Sequence, residues 1–365
     1  MAPVTRLSAE HGALLPTLAA VRTNCHISDA KFATDYTLCV YLLKMREFYR
    51  WEYGLPFGAT LPHDELTEWL TDREALWEQL EHEQFQPVPA NGQLFDPFDA
   101  TAINAVLNPL GYVYSSGYGH GMKPVFFLGT LKTSRKVDNF TLLVSGTELA
   151  RDLAAPPAMS IQNSIFIRRE SLRRMLWERL EEWRWNRPDN AMKCALECYE
   201  FERDPDAALE AMTDNELHCT LLHEVGEIQA GSLLGPGWEE LLASLGHSKA
   251  EIMLRAVRDH LADALSTLPA LLENAKPASL HFYFANLSNM RKALAPGLLA
   301  AYEIWKVTGS TRELEQFILR SADHWSRLAM QILQQFDGTG PEHAADLVHL
   351  IETHALPPGA TGTGT

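Results

Sequence analysis

No apolar run in these 365 residues approaches the roughly 18 that a membrane span requires, so no bilayer crossing is expected. The first residues, MAPVTRLSAEHGALLPTLAAV, lack the charged start and uninterrupted apolar core of a signal peptide, which predicts a soluble cytoplasmic protein. Positive charge is short: 31 Lys and Arg face 47 Asp and Glu, for a formal net charge of −16. That argues against a surface coated for nucleic acid. Cysteine is scarce and odd in number, five in all, which argues against a disulfide framework. Cys194-x-x-x-Cys198 and Cys219 match no zinc spacing and read as buried free thiols. Phosphate-loop and dinucleotide fingerprints are missing, as is any internal repeat.

What remains is a chain able to bury a core, 46% hydrophobic and long enough for two or three packed units. Ser8 is placed to cap a short helix reaching Val21, and residues 24–29 lead into a helix ending at Gly54. Leu38, Val40, Tyr41, Leu42, Met45, Phe48 and Trp51 leave that helix no polar side, which predicts burial all round. Its Lys44, Arg46, Glu47, Arg50 and Glu52 then need partners or a cavity. A helix over 64–83, a break at 87–92 and a short helix from Asp99 to Gly111 follow. Residues 112–114, 125–131, 140–144 and 165–167 are short β-branched or aromatic runs, expected to form a small, largely antiparallel sheet. A helix over 171–185 closes this region, and helices near 189–202, 214–230, 237–245, 249–268, 294–307, 311–336 and 341–354 complete the chain. The expected fold is mainly α with a small antiparallel β insertion, an α+β protein with a helical-bundle core. Its regions are 1–109, 110–186 and 187–355, with a disordered tail over 356–365.

Chemistry concentrates in two of the helices. The first carries His223-Glu224-x-x-Glu227 and the second Asp259-His260-x-x-Asp263. Residues four apart share a helix face, so His223 aligns with Glu227 and Asp259 with Asp263. Asp214 is placed to cap the first helix and Gly231 to stop it. Ser248 with Glu251 forms a capping box for the second, and Pro269 closes it. The polar faces lie roughly opposite the apolar stripes, so one account leaves them in solvent, with Arg255 and Asp259 as a surface ion pair. In the other, Gly226, Ala230 and Ala262 let the helices approach and turn the polar faces inward onto a metal ion. The pattern departs from the zinc-hydrolase His-Glu-x-x-His at its last position, which disfavours a zinc peptidase. Carboxylate-rich donors suit iron or manganese, although the di-iron Glu-x-x-His repeat is not reproduced. Candidate ligands are His223, Glu227, Asp259, Asp263 and His281, with Glu47 and His260 as further options and Glu224 as proton shuttle. His281 lies in the aromatic run 281–284 and reads more readily as a core histidine.

Two other functions compete. Gly117, Gly119 and Gly121 around His120, with Arg168 nearby, form a candidate small-anion site in a region with a local excess of four positive charges. A mobile hairpin loop explains the same glycines. Alternatively the chain is a helical scaffold whose Trp177, Trp183 and Trp185 pack against a partner subunit, as in a homo-oligomer.

The stretches CHISDAKFATDYTLCVYLLKMREFYRWE (25–52), LLHEVGEIQAG (221–231), RAVRDHLADALSTLP (255–269) and SLHFYFANL (279–287) together resemble an uncharacterised bacterial family of unknown function. The resemblance implies a cytoplasmic bacterial protein and transfers no catalytic residue.

Overall fold

The computed structural model describes residues 14–119, 122–137, 140–246, 248–274, 276–336 and 343–357. Ser8, His120, Gly121 and the tail from 358 lie outside them. The chain divides into two compact units, Met1–Glu182 and Trp183–Thr365.

The first unit opens with α1 (Leu15–Phe32), α2 (Leu38–Glu52) and α3 (His63–Leu80). Helix α1 runs straight through residues 24–29, which the sequence suggests as a connector. Asn24, Ser28 and Asp29 are fully buried there, because other segments satisfy them. Asn24 exchanges hydrogen bonds with the backbone of Gln86, and the Ser28 hydroxyl donates to the Pro124 carbonyl. The Asp29 carboxylate accepts from Leu153 N–H at 2.9 and 3.0 Å. Helix α2 is not buried all round: Leu38, Val40 and Leu42 are exposed, while Met45, Phe48 and Tyr49 pack inward against Trp69 and Trp77.

A two-stranded hairpin, β1 (Val88–Ala90) and β2 (Gln93–Phe95), occupies the expected break. Its turn is Asn91-Gly92, both at positive φ, as a tight hairpin of this type demands. Helix α4 (Ala100–Leu107) starts where Asp99 accepts from Ala102 N–H at 2.9 Å. The main sheet comprises β3 (Tyr112–Tyr118), β4 (Pro124–Val137), β5 (Phe140–Arg151), β6 (Ala158–Ile161) and β7 (Ser164–Arg168). Its order is β3-β4-β5-β7-β6, antiparallel except for β5 with β7. It is therefore a five-stranded mixed sheet rather than a small antiparallel insertion. The parallel pair arises because the chain leaves β5, passes to the edge as β6, and returns as β7 beside β5. Asp152 fixes that crossover: its carboxylate accepts from Phe126 N–H at 2.8 Å and from Ala155 N–H at 2.7 Å. Helix α5 (Arg169–Asn186) follows directly from β7.

Beyond α5 lies a helical assembly: α6 (Ala191–Leu196), α7 (Pro205–Leu234), α8 (Pro236–Leu245), α9 (Lys249–Ala262), α10 (Leu268–Glu273), α11 (Pro277–Asn286), α12 (Asn289–Leu294), α13 (Pro296–Thr308), α14 (Arg312–Phe336) and α15 (Ala344–Thr353). Helix α7 starts ten residues before the expected cap. Asp204, followed by Pro205 at the first helical position, caps it by accepting from Ala207 N–H at 3.0 Å, and a proline there loses nothing. Gly231 stays inside it. Nor does Pro269 close α9. A π-helical turn over Asp263–Thr267 joins α9 to α10, with Pro269 in the first turn of α10. The wider turn accommodates a residue that has no N–H and would crowd the preceding turn of an α-helix. The core gathers around α9 and α14, with Trp238, Trp325, Val257, Leu261 and Phe317 buried.

Overall the protein is mainly α with added β structure. Among the described residues no helix is long and apolar enough to cross a membrane. The five cysteines are all free, and only Cys25 is buried; Cys39 and Cys198 are exposed.

Candidate metal centre

Helices α7 and α9 cross at Gly226. A Cβ at this position would overlap the carbonyl oxygen of Ala262, so only glycine permits the approach. Ala230 and Ala262 are fully buried beside it. The crossing turns the polar faces inward: Glu216, Glu224, His260 and Asp263 are all buried. Full solvation of these faces is thereby ruled out.

Between the helices, one ligand atom each from His223, Glu227 and Asp259 lie within 4.8 Å of one another. Asp263 stands behind this trio. Its Oδ1 is 2.8 Å from His223 Nδ1, and its Oδ2 accepts from Tyr283 OH at 2.8 Å and from Arg291 Nη2. The Arg291 guanidinium also reaches Tyr283 OH at 3.0 Å. With Nδ1 engaged, Nε2 is the ring nitrogen left to His223. A carboxylate that fixes the tautomer and orientation of a histidine is the usual support behind a metal-ligating imidazole. About a third of the His223 side chain is exposed while Asp263 is buried, so the histidine is reachable from solvent and its anchor is not.

Glu227 is the most informative member. Its Oε2 pairs with Arg258 Nη2 at 2.7 Å, and its side chain is nine-tenths buried. Its other oxygen, Oε1, is buried without a hydrogen-bond partner. A buried carboxylate oxygen left empty is costly and calls for a proton or a cation. Burial, reinforced by Asp259 and Asp263, raises the Glu227 pKa, while Arg258 and His223 work the other way. For Asp263, burial is outweighed by Arg291 and then His223, which hold the carboxyl far below the usual carboxylate range. For His223, burial opposes the charge, but Asp263, Glu227 and Asp259 prevail and push its pKa up to about 10. The neighbouring carboxylates thus favour the protonated ring of His223, with which a cation would have to compete.

The other candidates are placed differently. Glu224 is buried, and its charge bears on Arg258; it is not one of the trio. His260 donates from Nε2 to the Arg291 carbonyl at 3.0 Å and stacks on Trp325 at 4.8 Å. Burial, then Arg291, holds its pKa down to about 3, so it is a neutral structural ring that anchors the chain at Arg291. His281 pairs through Nδ1 with Tyr302 OH at 2.9 Å and packs on Trp305, apart from the trio. Arg255 pairs with Glu251 one turn back.

In the first unit, Glu47 is consumed by Arg50 at 3.2 Å, with Arg46 at 3.8 Å. Gly117 and Gly119 stand at the end of β3 and just beyond it. A Cβ on Gly117 would lie 2.8 Å from Met159 Cε, so packing already explains a glycine there. Arg168 is buried over the Phe127 ring and donates to Ser115 Oγ at 2.8 Å. Of the three tryptophans expected at a partner surface, Trp177 is buried against Phe57 and only Trp185 is largely exposed.

Sequence spacing does not point to Arg258, Tyr283 or Arg291. Tyr283 had a signal, since it shares the aromatic run with His281. Two residues apart on a helix face opposite ways, so only one of them can meet α9.

Models of the N-terminal and C-terminal domains of a family of unknown function, DUF6866, match residues 17–168 and 173–354. The chain belongs to that family. No curated protein and no solved structure matches it.

Proposed function

We propose that this member of a family without an assigned activity binds a divalent metal ion, with His223, Glu227 and Asp259 as its protein ligands. Asp263, itself held by Arg291 and Tyr283, orients the imidazole. The observation that carries this proposal is the buried, unpartnered Oε1 of Glu227 beside a histidine whose Nδ1 is already fixed. One nitrogen and two carboxylates suit manganese or iron. Three protein donors leave coordination positions for water and substrate, the arrangement of a metal-dependent enzyme. Glu224, on the same helix as two of the ligands, is the nearest acid in sequence for proton transfer.

A second account has its own support. Arg258 bridges Glu227 and Glu239 at 2.7 and 2.6 Å, so the cluster also reads as a metal-free ion network that locks two helices. Metal analysis of protein purified without an affinity tag separates the two. The metal account expects close to one equivalent of manganese or iron, lost in His223→Ala and Asp259→Asn while thermal unfolding stays cooperative. Less than about a tenth of an equivalent, unchanged by either substitution, supports the ion network.

A further inference from the structure

The first unit contains a cavity of about 440 Å³ whose lining includes none of the metal-cluster residues. Arg22 from α1, Arg73 from α3 and Arg151 from the end of β5 face it beside Phe48, Trp51 and Trp69. The guanidiniums and rings alternate. Arg73 lies 5.3 Å from the Phe48 centroid and 4.9 Å from that of Trp69. Arg151 lies 5.7 Å from Phe48 and 5.8 Å from Trp51. Phe48 thus has two cations within 6 Å of its centroid, and each of them has a second ring.

Arg22 donates from Nε and Nη2 to the Leu149 carbonyl, a neutral acceptor. Arg73 donates from Nη2 to Glu52 at 2.5 Å, its Nη1 lies 3.0 Å from His26 Nε2, and Trp69 Nε1 occupies the same Glu52 oxygen at 2.8 Å. Arg151 donates from Nε to the Asp152 carbonyl. Its Nη1 makes no hydrogen bond, with Glu148 standing 3.9 Å away. The other acid at the cavity, Asp72, sits exposed at the rim. Among the lining residues three arginines face the two acids Glu52 and Asp72, and Glu148, outside the lining, is the acid paired with Arg151. His26 registers the same field: burial, then Arg73 and Arg22, lowers its pKa to about 3, so it adds no charge at neutral pH.

We propose that this cavity binds a small aromatic monocarboxylate, its ring between the Phe48, Trp51 and Trp69 side chains and its carboxylate on Arg73 and Arg151. The volume falls within the range of roughly 300–1,000 Å³ of small-molecule pockets. Aromatic walls hold a flat ring by stacking, and a guanidinium matches a carboxylate in geometry and charge. A carboxylate on a flat ring engages guanidiniums and aromatic side chains together, whereas inorganic phosphate leaves the rings unused.

Calorimetric titration of the full chain with 2-naphthoate, its neutral isostere 2-naphthamide, and inorganic phosphate tests this, with tryptophan fluorescence as the second readout. Saturable one-to-one binding of 2-naphthoate is expected, at least about tenfold tighter than either comparison compound. Leu76 lines the same cavity, and Leu76→Trp fills it and weakens 2-naphthoate by about tenfold or more. Asp72→Lys, an exposed change, tightens it about threefold at low salt and not at high salt. Arg73→Lys keeps the charge beside Glu52 but loses the fork, and weakens binding while thermal melts show the variant folded. The proposal is overturned if 2-naphthoate does not bind, if 2-naphthamide or phosphate binds as well, or if Leu76→Trp and Asp72→Lys both leave the affinity unchanged.

Discussion

Asp29 and Asp152 of the first unit and Asp263 and Glu227 of the second are buried carboxylates that do different work. In the first, Asp29 and Asp152 accept from the backbone N–H groups of Leu153, Phe126 and Ala155 at the β5–β6 crossover, with Lys123 as a further partner of Asp29 at 3.2 Å. In the second, Asp263 and Glu227 face side chains: His223, Tyr283, Arg291 and Arg258. An acid spent on backbone amides holds a fold and has little left to offer. An acid that orients an imidazole, next to another acid with an empty oxygen, is placed to do chemistry. The same contrast separates the glycines. Gly226 is forced by a backbone carbonyl, Gly117 only by the end of a flexible methionine.

Removing the central acid of the second unit breaks this contrast most severely. Asp263→Ala strands a buried Arg291 and frees the His223 ring. It is expected to cost about 3–5 kcal/mol in denaturant unfolding and to abolish metal binding. An unfolding midpoint within experimental error of the parent would show that Asp263 does not hold the cluster together. Next comes the helix crossing: Gly226→Ala pushes α7 off α9 and is expected to cost about 2–3 kcal/mol. A Cβ tolerated there would mean that the helices do not approach as closely as described.

The third effect depends on pH. Glu216 is buried and accepts from Ser279 Oγ at 2.8 Å. Burial raises its pKa to about 7, although the Ser279 and Cys219 hydrogen bonds oppose this. A carboxyl with its pKa raised on folding contributes no penalty below pH 4, where both states are protonated. Stability is lost as pH rises from about 4.5 to 7, because the unfolded chain ionises first. Glu216→Gln should therefore stabilise the protein by roughly 3 kcal/mol at pH 8 and by almost nothing at pH 4. Thermal melts at the two pH values measure the difference, and an equal effect at both would contradict burial of a protonated acid. The smallest effect is Gly117→Ala, expected to cost about 1 kcal/mol or less, since Met159 can swing away. A cost matching that of Gly226→Ala would erase the distinction drawn between the two glycines.

Helix periodicity made the heart of the second unit legible. The four-residue spacing of His223 with Glu227 and of Asp259 with Asp263, with Gly226 and Ala262 beside them, brought the right faces into view. It could not rank Asp263 behind the other three, because that depends on Arg291 and Tyr283, which arrive from separate helices 28 and 20 residues further along the chain. Asn24, Ser28 and Asp29 read as a connector because polar residues usually mark one, yet distant backbone groups satisfy them inside α1. Asp214 looked like a cap because α7 carries a second acid ten residues after Asp204, and local spacing cannot choose between two good caps. The arginine cavity gave almost no signal. Its residues come from three helices and a strand end, and only the charged, aromatic character of α2 hinted that some of its side chains border an opening.

The central claim is a metal ion on three named side chains. Anomalous difference density from crystals soaked in manganese tests it directly. One peak is predicted about 2.0–2.2 Å from His223 Nε2 and from carboxylate oxygens of Glu227 and Asp259. The account is contradicted if no peak forms there and Arg258 still sits on Glu227 with His223 on Asp263.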